Sequence, residues 1–168
     1  LVALLRATLR MATPLTLAAL GGSLTLQTGS LNMALEGMML IGAFVGVLAS
    51  YLFVNAWMGL LLGAAAATVL ALAYAVLVVE LEGNTFVIGF ALNMLVSGGT
   101  VYLVRFLFGV KGAFASPRIR SLPNLSCNLL HLAGQLGNVL GDHSVLTYVS
   151  WALVLALSIL FYRTAFGL

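Results

Sequence analysis

Long uncharged apolar runs separated by short polar interruptions make up almost the whole chain, and this spacing predicts membrane-crossing helices. Residues 1–10 set Arg6 and Arg10 four apart on one helical face, with Leu and Val on the other, as in an interfacial helix or the start of a span. Residues 11–26 form a first uncharged run, about 24 Å long at 1.5 Å per residue and short for a full crossing. Pro14 near its start and the Gly21–Gly22 pair in its middle predict a short or partly broken span. A break follows at residues 28–30, and Asn32 reads as the N-cap of a second span over 31–54. Asn55 and Ala56 form a tight turn, and Trp57 marks a membrane interface. Residues 58–79 give a third, wholly uncharged span that ends at Glu80, Glu82, Gly83 and Asn84. The fourth, 85–108, carries Asn93, Ser97 and Gly98-Gly99-Thr100 at mid-depth, a composition that predicts unwinding or a lining role. Residues 109–143 are too long for an ordinary loop, and 129–140 predict a short helix dipping into the membrane. A last span covers 144–162.

Composition turns this pattern into a class. Of 168 residues, 62% are hydrophobic and 7% charged, against roughly 25% charged in a soluble domain. With a mean hydropathy of +1.17, the expected fold is all-α: a polytopic transmembrane helix bundle of about five spans with short or broken helices. The net charge of +3 is scattered near span ends and offers no nucleic-acid surface. Cys127 is alone, so no disulfide forms within the chain, and its plain reading is a small filler. The acceptor pattern at Asn124-Leu125-Ser126 carries no weight at three residues. Arg6 and Arg10 interrupt any cleavable leader pattern. The chain starts at Leu1 and stops at Leu168 just after a basic turn. Both ends look cut, so the expectation is a piece of a longer protein with a single transmembrane domain.

The scarce polar groups are the candidate chemistry. A carboxylate among so many apolar residues is costly unless it faces protein, water or a ligand. Asn32 and Glu36 either shape a substrate path near the break or serve as a helix cap and a carboxylate paired at a subunit contact. Asn93, Ser97 and Thr100 offer uncharged groups to such a path, and the plain reading of Asn93 is an interhelical hydrogen bond, worth about 0.6 kcal/mol in membranes. The G-x-x-x-G pairs Gly42/Gly46 and Gly59/Gly63 read as close helix-packing devices. His131 and His143 have no cysteine or acidic partner set for a metal. An intramembrane hydrolase with Ser97 as nucleophile and either histidine as base lacks the G-x-S-x-G context. A channel subunit or secondary transporter remains as an alternative, because broken helices serve those functions too.

Three blocks carry a family resemblance: G-S-L-N-M-A-L-E-G-M-M-L-I-G-A-F-V-G, I-G-F-A-L-N-M-L-V-S-G-G-T and Y-R-T-A-F-G-L. In this order, and with similarity over nearly the whole chain, the sequence resembles the membrane subunits of bacterial ABC importers. The match is to the nucleoside and simple-sugar permeases, relatives of the branched-chain amino-acid permeases. The resemblance implies an importer in a bacterial plasma membrane, surrounded by lipid, with no bond chemistry of its own. It implies a second permease subunit, cytoplasmic ATP-binding subunits that hold the ATP, and an extracellular or periplasmic substrate-binding protein; no cofactor belongs to this chain. It makes Arg163, Phe166 and Gly167 the edge of a coupling loop that docks on the ATPase. Members often carry an acid in the stretch matching 22–29, whereas Ser23 and Gln27 stand here. With Leu168 cytoplasmic, five crossings place Lys111, Arg118 and Arg120 outside, against the positive-inside rule; a long connection weakens that rule.

Overall fold

The structure, a computed structural model, describes residues 2–27, 29, 31–109, 116–120, 124–125 and 143–163. Five α-helices account for most of them: α1 (Val2–Gln27), α2 (Leu35–Phe53), α3 (Ala56–Ala75), α4 (Thr85–Phe108) and α5 (Val145–Arg163). A two-residue antiparallel pair, β1 (Asn124–Leu125) with β2 (His143–Ser144), matches Asn124 to Ser144 and Leu125 to His143. The chain is thus all-α in class. Among the described residues, three helical stretches are long and apolar enough to cross a membrane: Leu35–Phe53, Ala56–Glu80 and Thr85–Phe108. A shorter apolar stretch, Val145–Leu160, lies in α5. Of the roughly five expected spans, these three are long and apolar enough among the described residues, and α1 carries Arg6 and Arg10.

Two compact units divide the chain, Leu1–Thr28 with Leu122–Leu168, and Gly29–Ser121. In the first, α1 runs unbroken through Pro14 and Gly21–Gly22, where a weakened span was expected. Along it, hydroxyls fold back onto the preceding turn: Thr13 donates to the Leu9 carbonyl, Ser23 to Leu20 and Thr25 to Gly22, at 2.8–3.0 Å. α1 meets α5 through a buried hydroxyl cluster. Thr13 Oγ1 donates to Thr147 Oγ1 (3.3 Å), Ser144 Oγ lies 3.2 Å from the same atom, and Ser150 Oγ donates to the Thr147 carbonyl (2.7 Å).

The second unit is built on α2 and α3, joined by a turn that puts Val54 in the left-handed region (φ 51°). Asn55 then caps α3, its Oδ1 accepting from the Trp57 amide at 3.0 Å. The two G-x-x-x-G pairs face each other in antiparallel register. A Cβ on Gly63 would stand 2.7 Å from the Gly42 carbonyl oxygen, and one on Gly59 2.7 Å from that of Gly46. Only glycine permits this approach, and without a hydrophobic drive between helices in lipid, such close packing is the main attraction. α3 widens into a π-helical turn, Val76–Glu80, where the Leu81 amide donates to the Val76 carbonyl (3.1 Å). Asn84 caps α4, accepting from the Phe86 and Val87 amides.

α4 is continuous from Thr85 to Phe108, so the expected unwinding at Gly98-Gly99-Thr100 is absent. In hydrocarbon an opened turn leaves its amides without partners, and among the described residues a Cβ on Gly98 or Gly99 would meet nothing within 4 Å. Thr100 Oγ1 instead donates to the Ser97 carbonyl at 3.1 Å, within the same helix. The irregular stretch lies elsewhere, at residues 31–34, and α2 starts at Leu35 rather than Leu31. Asn32 is accordingly not the N-cap. Ala34 holds that position and makes no side-chain capping bond.

Candidate functional site

Residues 31–34 form a short strap of non-helical backbone in front of α2, and its polar groups need partners because it lies in an apolar unit. Side chains from two helices supply them. From α4, Asn93 Oδ1 accepts from the Gly37 amide (2.8 Å) while Asn93 Nδ2 donates to the Met33 carbonyl (3.0 Å). Gly37 is the third helical residue after the cap, so Asn93 delivers from another helix the bond that a capping residue at position 34 would have made. From α3, the buried Tyr74 donates its hydroxyl to the Leu31 carbonyl at 3.0 Å. Within the strap, Asn32 Oδ1 accepts from the Ala34 amide (3.0 Å), and Asn32 Nδ2 donates to the Met38 sulfur at 3.6 Å.

Two glycines make room for this grip. A Cβ on Gly37 would sit 2.8 Å from Asn93 Oδ1, and one on Gly89 would run into Met33 Cβ with the Met33 carbonyl carbon only 3.0 Å away. Gly89 and Asn93 are one turn apart, so one face of α4 both approaches the strap and binds it.

Of the polar residues singled out in the sequence, Asn32, Glu36 and Asn93 gather at or next to this strap. Glu36 lies in the first turn of α2, exposed, where the helix dipole favours a negative charge. Ser97 stands one turn beyond Asn93 and is exposed, whereas Thr100 is buried and satisfied within α4. Gly42, Gly46, Gly59 and Gly63 form the α2–α3 contact instead. Arg163 is the last residue of α5; Phe166 and Gly167 lie outside the described residues, as do Cys127, His131 and the helix expected over 129–140. His143 belongs to β2. Among the described residues no group of His, Cys, Asp or Glu could hold a metal ion.

Tyr74, Gly37 and Gly89 were not apparent from the sequence. The Gly89–Asn93–Ser97 spacing was a usable signal, since residues four apart share a face. Tyr74 gave none: a tyrosine in an apolar run reads as an interface or packing residue. Ser50 was missed for the same reason. It is buried in α2, donates to the Arg120 carbonyl (3.1 Å) and accepts from the Arg120 amide (3.2 Å).

The arrangement offers neutral donors and acceptors beside a break in the backbone, held by packed helices. Comparison with known proteins agrees with a transport scaffold. A family model described as branched-chain amino acid transport system / permease component matches residues 4–168. The guanosine ABC transporter permease protein of Bacillus subtilis is 38% identical over 109 residues, 61% of this chain and 34% of that protein. A Haloferax volcanii protein with the provisional name of glucose ABC transporter permease is 38% identical over 99 residues, 59% of this chain and 30% of its own length. The matched stretch thus spans about a third of each of these relatives. No solved structure matches. The family is one of transport subunits rather than enzymes, and apolar helices of crossing length make this a multi-pass membrane protein. Matched over almost its entire length, the chain belongs to the family of branched-chain amino acid transport system permease components.

Proposed function

We propose that this chain forms part of the translocation subunit of an ATP-driven importer for nucleosides or simple sugars in a bacterial inner membrane. The observation that carries the reading is the family match over residues 4–168. The names of the two relatives point to the substrate class, a nucleoside in one and a sugar in the other. Such substrates present hydroxyls and ring nitrogens and carry no charge, and the strap offers them neutral amide chemistry. In this reading the chain is one part of a single permease domain, and Asn32, Glu36, Asn93, Ser97 and Thr100 border the passage. Asn32, Glu36 and Ser97 offer polar atoms to it. Asn93 and Thr100, whose polar atoms bond to the protein itself, shape its wall.

The chain makes and breaks no covalent bond and holds no cofactor. A second permease subunit shares the passage, paired ATP-binding subunits hold and hydrolyse the ATP, and an extracellular or periplasmic binding protein delivers substrate. Arg163, Phe166 and Gly167 form the near edge of the contact with the ATP-binding subunits. Alternating access follows when ATP binding and release at those subunits tilt the helices around the passage. The test is uptake of labelled guanosine and glucose into vesicles carrying the complete assembly. The expected result is accumulation that requires ATP and the binding protein. Accumulation that follows an ion gradient, or simple equilibration, without ATP establishes a secondary transporter or a channel instead.

A further inference from the structure

We propose that Tyr74 and Asn93 act together as a clasp that positions Asn32 as the donor to an uncharged hydroxyl or ring-nitrogen acceptor of the transported substrate. The proposal rests on the importer reading and names a contact and two positioning residues within it.

The argument begins with what each polar atom of the strap is doing. The Leu31 and Met33 carbonyls are taken by Tyr74 and Asn93, and the Ala34 and Gly37 amides by Asn32 Oδ1 and Asn93 Oδ1. Three bonds come from two helices, α3 and α4, onto seven consecutive residues. Asn93 uses both ends of its amide on backbone and has its best geometry already committed. Asn32 differs. Its Nδ2 carries two N–H groups, and the partner found for it is the Met38 thioether at 3.6 Å, a weak acceptor. Asn32 is half-buried, not solvated like a surface amide. A half-buried donor held on a weak acceptor gains most from a stronger one, such as a hydroxyl or an imine nitrogen.

The geometry around the clasp explains why Asn32 needs holding. A four-residue strap with no ladder of its own belongs to the least stable part of a fold. Tyr74 stands two residues before the π-helical turn Val76–Glu80, so its hydroxyl ties one irregular backbone stretch to another. Gly89 brings α4 against Met33, and the Asn93 bonds close either side of that contact. Freed from these bonds, the strap samples other conformations, and substrate binding must first select the clasped one. Affinity therefore falls with the clasped fraction, by no more than the factor by which the clasp weakens.

Tyr74→Phe deletes one hydroxyl and keeps the ring. In the complete assembly, hydrogen–deuterium exchange resolved to single amides is expected to speed up at Ala34 and Gly37 together, by roughly two- to tenfold for one neutral hydrogen bond. The KM for guanosine or glucose uptake rises by up to the same factor while maximal velocity changes less. Asn32→Ala raises KM with exchange at Gly37 unchanged, because it removes the donor and leaves the clasp. Asn93→Leu, which loses both the acceptor for Gly37 and the donor to Met33, gives an independent weakening if Tyr74→Phe assembles poorly. Exchange at Gly37 that ignores Tyr74→Phe and Asn93→Leu alike overturns the clasp. Faster exchange with KM unmoved, and velocity falling only with the amount of assembled complex, overturns the positioning role. A wild-type assembly that moves neither compound overturns the importer reading and with it the substrate contact, while the exchange comparison still decides the clasp.

Discussion

Alanine at Gly63 and alanine at Gly42 should have opposite effects, although the two glycines face each other across the same contact. A methyl on Gly63 would lie 2.7 Å from the Gly42 carbonyl oxygen and 3.2 Å from the Gly46 Cα, all backbone that cannot swing aside. Restoring an ordinary 3.4 Å contact moves α3 from α2 by about 0.7 Å. A gap of that size forfeits roughly a quarter to a half of the dispersion attraction along the seam. Overpacking of this kind costs about 1–3 kcal/mol. The gain in helix propensity from Gly to Ala, about 1 kcal/mol, offsets only part of it. At Gly42 the same methyl meets the Gly63 oxygen at 3.4 Å and Ala67 Cβ at 3.6 Å, which is ordinary contact, so the propensity gain stands. The two variants should therefore differ by about 1–3 kcal/mol, with Gly63→Ala the weaker. At roughly 2–4 °C per kcal/mol for a chain of this size, a gap of about 2 kcal/mol reads as roughly 4–8 °C in melting midpoint. Thermal melts of the two purified variants in one detergent measure it directly. Equal midpoints, or a higher one for Gly63→Ala, would show that the helices do not approach through these backbones and would refute the reasoning.

Other expectations follow from the same contacts. Gly89→Ala drives a methyl into Met33 and should destabilise the strap by about 1–3 kcal/mol, whereas Gly98→Ala, with nothing within 4 Å, should be neutral or slightly stabilising; denaturant titration of both separates them. Thr147→Val keeps the side-chain volume but removes the hydroxyl shared by Thr13 and Ser144, and should lower stability by about 1 kcal/mol in the same titration. Asn93→Leu should reduce substrate uptake with the complex still assembled, since α2 loses its cap while its seam with α3 is untouched; normal uptake by a normally assembled variant would remove Asn93 from the mechanism.

The positions of the apolar helices were legible from the chain because hydrocarbon enforces a simple rule. A span must satisfy its own backbone, so its length and lack of charge are written in consecutive residues. Thr85–Phe108 appeared at its observed ends for that reason, helped by Asn84 at one end and Gly109 at the other, both of which act locally. The glycine pairs were readable as packing devices, because a G-x-x-x-G spacing puts two small residues on one face whatever lies opposite. The family resemblance rested on contiguous blocks, and the family match over residues 4–168 agrees with it.

What opposed each face was decided only in three dimensions. Asn32 was expected to cap a helix and Gly98-Gly99 to open one, since both are local propensities of about 1 kcal/mol. Each was overridden by the supply of partners. α2 takes its cap from Asn93, 56 positions away in sequence, so the helix starts later and Asn32 falls within the strap. Around Gly98 a Cβ would meet nothing within 4 Å among the described residues, and the helix ladder persists. Tyr74 became a gripping residue solely because α3 sets its hydroxyl beside the Leu31 carbonyl. Consecutive residues alone determined that these helices exist and belong to a permease, because the bilayer acts on each span separately. Which polar side chain meets which backbone group depends on the approach of separate helices, and only the tertiary structure contains that.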